Sequence, residues 1–387
     1  MTPANVATSR SGAPMTTSSQ RTQAPVLVVA GARPNFMKIA PILAELERRG
    51  QASFLLHTGQ HYSTQMSDAI FRDLDIRDPD QNLGIGSGTH AQQTARVMEA
   101  FEPVLMKARP SWVVVVGDVN STLACSLVAS KLREEIGCKI AHVEAGLRAN
   151  DWRMPEEVNR VLTDRLADLL LTPSHDAKPN LLAEGIPAER IVFVGNVMID
   201  TLFRALPKAR ELDLLKRLGV QPGKYAVATL HRPSNVDSPD TLRPVLEGLA
   251  AVAERMPVVL PVHPRTKRNA ESFGLTGMLD RLMSIEPLAY LDMLALNDGA
   301  AVVLTDSGGI QEETTALGVP CVTLREQTER PITVTEGTNR MAPWPLTKAG
   351  IMASFEGAVA AGRLEPGARC PEGWDGKAAI RIVDALT

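Results

Sequence analysis

The sequence predicts an α/β protein made of two doubly wound Rossmann-like domains facing a central cleft. Three observations carry that expectation. A chain of 387 residues is long for one ordinary core, which favours two domains. Short β-branched runs alternate with segments of helical period, and the alternation occurs as two series. Polar clusters follow the runs directly, where ligands sit in such sheets.

The first series opens at Pro25–Ala30, a run stopped by Gly31 and followed by the helical pattern Met37, Ile39, Ile42, Leu43 and Leu46. Ser53–His57 then reads as a strand and Thr64–Leu74 as a helix. Ala91–Lys107 is helical, Trp112–Val116 a strand, Thr122–Glu135 helical and Lys139–Val143 a strand. In the second series Ala226–Leu230, Val258–Val262, Ala301–Thr305 and Cys321–Leu324 are strands. Met198–Leu218 lies between the two series, mostly helical and interrupted by Pro207, and the domain boundary belongs there. The expected division is 25–203 and 204–368, after a tail over 1–24. That tail is rich in Ser, Thr and Ala and has no acidic residue, which suggests disorder; a transit peptide shares the composition.

Composition excludes several function classes. The formal net charge of −3 supplies no basic field for nucleic acid or anionic lipid. Apolar runs such as Trp112–Val116 and Ala167–Leu171 are too short to span a membrane. Cys125, Cys138, Cys321 and Cys370 form no metal-binding spacing, and a reduced cytoplasmic setting is the simplest reading.

The chemistry-bearing residues come after strands. Gly31–Lys38 is not the GxGxxG fingerprint, because Arg33 and Pro34 stand where backbone must approach a pyrophosphate, so a nicotinamide cofactor is disfavoured. Arg33 and Lys38 bring cations to the cleft instead. Gly84–Gly88 is glycine-rich but follows no predicted strand. Asp118 lies just past Trp112–Val116, where a lone Asp serves equally as a helix cap. Glu144 near a strand end is costly unless paired or used for proton transfer, and Arg148 is a candidate partner. Glu156 and Glu157 open a helix behind Pro155, individually ordinary for a first turn. Asp118, Glu144 and Glu156 together suit acid–base chemistry at a carbon–hydrogen bond.

In the second series, His231–Arg232 and His263–Pro264–Arg265 follow strands. Thr305–Asp306–Ser307–Gly308–Gly309 places adjacent glycines between a strand and a helix, so that backbone N–H groups converge on an anion. A turn of purely geometric value is the alternative. Glu313 lies where it can meet ribose hydroxyls, and Arg330 adds a cation.

Gly31-Ala-Arg-Pro, Gly117-Asp, His142-Val-Glu-Ala-Gly-Leu-Arg, Pro155-Glu-Glu-x-Asn-Arg, His263-Pro-Arg and Asp306-Ser-Gly-Gly-x-Gln-Glu-Glu, in that order, resemble the non-hydrolysing UDP-N-acetylglucosamine 2-epimerases. The likeness runs from about Val26 to Trp374–Ala379. It implies the GT-B arrangement, a homodimer, and a C-terminal helix over 369–387 returning to the first domain. It implies a UDP-sugar substrate, no cofactor and no metal. Asp118, Glu144 and Glu156 match the catalytic carboxylates. Ser307, Gly308, Gly309, Glu313, Arg330 and His231 match nucleotide-binding positions, and His231 is counted with the catalytic set as well. Arg33, Lys38 and Arg160 approach the substrate from the first domain.

Three features depart from the family pattern. Met293 stands where an aromatic often lies beside uracil, and Asn35 where many members have Glu. Gly59–Ser63 and Gly84–Gly88 keep Gln60 but not the rest of a second-substrate activator site. The implied reaction is elimination and re-addition of UDP through a 2-acetamidoglucal. Rival readings are a UDP-2,3-diacetamido substrate, a hydrolysing epimerase, a GT-B glycosyltransferase and a non-catalytic nucleotide-sugar sensor.

Overall fold

In a computed structural model, residues 24–60 and 71–387 are described, apart from the Arg33 side chain. The tail over 1–23, the segment His61–Ser63 and most of the expected helix Thr64–Leu74 lie outside the described residues.

Strand β1 (Val26–Ala30) is buried along its whole length, and its alternation sorts side chains onto two faces. Val26, Val28 and Ala30 join one core cluster, Leu27 and Val29 another. β2 (Ser53–His57), β3 (Gln81–Asn82), β4 (Trp112–Val116), β5 (Lys139–Val143), β6 (Leu169–Thr172) and β7 (Ile191–Phe193) complete a parallel sheet ordered β3-β2-β1-β4-β5-β6-β7. The order reverses between β1 and β4, which opens a crevice at their carboxyl ends.

The second sheet repeats the plan. β8 (Ala226–Thr229), β9 (Val258–Pro261), β10 (Met283–Ile285), β11 (Val302–Thr305), β12 (Cys321–Thr323) and β13 (Asn339–Met341) run parallel in the order β10-β9-β8-β11-β12-β13. Its switch point lies between β8 and β11. The predicted strands are all present. The sequence reading missed β3, β7, β10 and β13, and took β6 only as an apolar run.

Helix α1 (Arg33–Arg48) follows β1, α2 (His90–Ala108) follows β3, and α3 (Asn120–Lys131) follows β4. The expected helix Thr122–Glu135 is two pieces, because the chain breaks at Leu132 before Arg133–Ile136. Gly84–Gly88 does follow a strand, the two-residue β3. α4 (Pro155–Leu166) carries Glu156, Glu157 and Arg160.

Helix α5 (Val197–Arg210) corrects a second expectation: Pro207 lies inside it without ending it. α6 (Tyr290–Gly299) and α7 (Gly308–Leu317) belong to the second sheet. The last helix, α8 (Ala378–Leu386), lays Ala378, Ala379, Ile382, Val383 and Leu386 into the core of the first sheet. Asp200 on α5 accepts the N–H groups of Ala378 and Ala379 at 3.1 and 2.8 Å, satisfying two of the donors a helix start leaves open.

Candidate active site

The first-domain half of the site is built on two strand ends and one turn. Asn35 accepts the N–H groups of Gly31 and Ala32, both at 2.9 Å, and donates to the Val116 carbonyl. That fastens the β1–α1 turn to the end of β4. Gly117 has φ +64°, and a Cβ there would stand 2.8 Å from Lys38 Nζ. Glycine satisfies both the left-handed backbone and the close approach of the ammonium.

Asp118 comes next, its carbonyl held by Asn159 at 2.9 Å and its Oδ2 by Arg160 Nη2 at 2.6 Å. Burial works against ionisation of Asp118, but Arg160 and Lys38 outweigh it and hold the carboxyl below its ordinary range. Arg160 donates on its other side to Glu157 at 2.6 Å. Glu157, unremarkable in the sequence, is buried and also accepts the Asn150 N–H at 2.8 Å. The Glu156 side chain is half-buried and makes no hydrogen bond or ion pair to another described residue.

Glu144 follows β5 with φ +72°, a strained value for a residue with a side chain. Its Oε2 pairs with Lys38, and its Oε1 lies 2.7 Å from Arg330 Nη2 of the other domain. Arg148 is not its partner. Arg148 instead pairs with Asp164 at 2.8 Å and Glu184 at 2.7 Å, behind His142, whose two ring nitrogens meet Asp164 and the Gly117 carbonyl.

The second-domain half centres on the start of α7. Ser307 is its cap residue, but its N–H donates to Thr305 Oγ1 at 2.9 Å, leaving the Gly308 and Gly309 amides as the free donors of the turn. A Cβ on Gly308 would meet Glu329 Oε1 at 2.7 Å; one on Gly309 would meet only Met198 Cε at 3.8 Å. Asp306 accepts from the backbone of His231 and Arg232 and lies 2.9 Å from His231 Nδ1. It thereby fixes the orientation of that imidazole. Burial works against the ionised Asp306, and the His231 contact overrides it, so its carboxyl titrates low.

The two adjacent carboxyls on α7 are both raised, while a third in the loop after β12 is lowered. Burial first, then Glu312, pushes Glu313 up to about 8. Burial lifts Glu312 to about 7 even though Arg330 opposes it. Glu329, despite burial, is held down to about 2 by Arg330, Arg325 and Arg232. Met293 lies half-buried on α6 among Tyr290, Leu291 and Ile310.

The structure therefore joins Lys38, Glu144 and Arg330 in one chain across the cleft, with Asp118 close enough to feel both cations. It adds Glu312, whose Oε1 lies 2.7 Å from Arg330 Nε. The sequence reading passed over Glu312. Its only signal there was membership of the Gln311–Glu312–Glu313 run. Among the described residues no cluster of potential ligands could hold a metal ion. No described helix is long and apolar enough to cross a membrane.

A family model described as UDP-N-acetylglucosamine 2-epimerase matches residues 44–387. A UDP-N-acetylglucosamine 2-epimerase of Methanocaldococcus jannaschii is 42% identical over 320 residues, covering 81% of this chain and 86% of the relative. A UDP-2,3-diacetamido-2,3-dideoxy-D-glucuronate 2-epimerase of Pseudomonas aeruginosa is 43% identical over 319 residues, covering 81% and 87%. The crystal structure of the M. jannaschii enzyme in complex with UDP-GlcNAc and UDP superimposes with a TM-score of 0.83 at 39% identity, covering 94% of this chain and 99% of that one. Motif order, two doubly wound sheets and a cleft lined by carboxylates and cations agree with these likenesses, and the chain belongs to the UDP-N-acetylglucosamine 2-epimerase family.

Proposed function

We propose that this chain interconverts UDP-N-acetylglucosamine and UDP-N-acetylmannosamine without net hydrolysis. The observation that carries the reading is the Glu144–Arg330 contact of 2.7 Å across the cleft. It sets a carboxylate able to take a proton from carbon beside a cation able to hold a diphosphate.

The proton at C2 is not acidic, so its removal is coupled to loss of UDP. A carboxylate takes the C2 proton, the C–H electron pair becomes the C1=C2 bond, and the C1–O bond breaks with its electrons leaving on UDP. The product is a 2-acetamidoglucal. Its reprotonation at C2 from the other face, with return of UDP to C1, gives the epimer. Asp118, Glu144 and Glu156 serve the two proton transfers. Lys38, Arg33, Arg330 and the amides of Gly308 and Gly309 stabilise the departing diphosphate, where preorganised charge lowers the barrier most. Glu313 takes the ribose, Met293 lies on the uracil side, His231 is steadied by Asp306, and Arg160 holds Asp118. Elimination and re-addition consume no redox equivalent.

The relative of P. aeruginosa supports a second substrate, a UDP-2,3-diacetamido sugar. We further propose a cytoplasmic homodimer, divided at 25–203 and 204–368 with 369–387 returning. NMR of the protein with each sugar in deuterated water tests the reading. The expected result is the C2 epimer carrying deuterium, without added NAD or metal. Free N-acetylmannosamine as the product, or an epimer without deuterium, would reject it.

A further inference from the structure

Glu312 is a carboxylate enclosed by the site to which the proposed reaction gives no role. It is 2% exposed, and it lies on α7 beside Glu313. Its Oε1 is 2.7 Å from Arg330 Nε, while Nη2 of the same guanidinium is 2.7 Å from Glu144 Oε1. A guanidinium is a rigid planar fork, so fixing its Nε edge sets where its other edge points. The loop bearing Arg330 has no regular structure between β12 and the short helix at Ile332–Thr335 to do this instead.

We propose that Glu312 is a positioning residue for the proton transfer at C2: it seats Arg330 so that the guanidinium stays aimed across the cleft at Glu144. The inference rests on the functional reading above. Five charged groups surround Glu312. Arg330 and Glu329 come from the loop after β12, Glu144 from the loop after β5, Lys38 from α1, and Glu313 from its own helix. Burial raises the Glu312 carboxyl, Arg330 opposes it, Glu144 adds to it and Lys38 opposes it, leaving it at about 7. Near neutrality Glu312 therefore changes charge. Arg330 Nε makes no hydrogen bond to a described residue in this geometry, so its contact with Glu312 is an ion pair and the seat depends on the charge of Glu312.

The experiment compares the wild type, Glu312→Gln and Glu312→Ala, each checked for a folded spectrum. It reads kcat for deuterium incorporation at C2 from pH 6 to 8.5, and UDP affinity by calorimetry. Glu312→Ala should lose about 10- to 100-fold in kcat, the scale of a misplaced catalytic group, with UDP affinity within about threefold of wild type. Glu312→Gln, which keeps the shape of the side chain but not its charge, should lose as much kcat at the alkaline end of that range, where wild-type Glu312 is ionised, again with UDP affinity kept. Wild-type turnover in either folded variant, or UDP affinity falling in step with kcat, would overturn the proposal. If Glu312→Ala does not fold, Glu312→Gln decides alone. A wild type that exchanges no C2 deuterium would instead reject the functional reading.

Discussion

Glu144 holds a left-handed backbone conformation while its two carboxylate oxygens face cations from opposite domains. Strain of that kind persists only where surrounding contacts enforce it. Replacing Glu144 by Gln, or Asp118 by Asn, should lower turnover by at least ~100-fold with UDP binding largely kept, the usual scale for a lost acid or base. Steady-state rates together with UDP calorimetry on the folded variants check this, and near-wild-type turnover in either one would remove it from the catalytic set. Glu313 supplies a pH signature. Its carboxyl titrates at about 8 in the fold against an ordinary 4.5, so over that window the folded chain keeps a proton the unfolded chain has lost. Stability from this source is full below the ordinary value and is lost as pH rises towards the folded one. Glu313→Gln should therefore raise the urea midpoint more at about pH 9 than at about pH 5. An equal change at both values would contradict the assignment.

At the scale of elements, α7 joins strand, anion site and ion-pair chain, and its glycines divide the work. A side chain at Gly308 would collide with Glu329, so Gly308→Val tests packing and ligand approach together. Gly309 has open protein space, so Gly309→Ala separates the two. The fold should tolerate it, and UDP affinity should fall by about tenfold or more, equivalent to 1.4 kcal/mol. Calorimetry showing unchanged affinity would place the diphosphate away from this turn. Much of α7 was legible in the sequence, because adjacent glycines after a β-branched run have few geometric uses. The edge strands β3, β7, β10 and β13 were not legible, being two or three residues long and too short to show a period. Pro207 misled because proline is unfavourable in a helix interior, yet α5 buries Ile199, Leu202, Ala205, Leu206 and Ala209 in the core of the second sheet and continues through it.

For the whole molecule, residue type pointed to candidate side chains but not to which would pair, and it passed over Glu312 and Glu157. Arg148 was the natural guess for Glu144, four residues away. The actual partner, Arg330, lies 186 residues on, and only the approach of the two sheets brings it there. Asn35 shows the same limit, since its task of fastening one turn to the end of β4 depends on the switch point between β1 and β4.

The returning helix α8 has a consequence for how the protein is made. The core of the first sheet includes Ile382, Val383 and Leu386, and the Trp112 indole donates to the Leu386 carbonyl at 2.8 Å. Domains generally fold in the order they leave the ribosome. Here the domain synthesised first stays short of its last apolar layer until translation has passed Leu386. The nascent first domain must therefore wait, with one face open, while the second is made. Ribosome-bound chains stalled before Ala378 should remain protease-sensitive in the first domain, and release of the full chain should bring protection there.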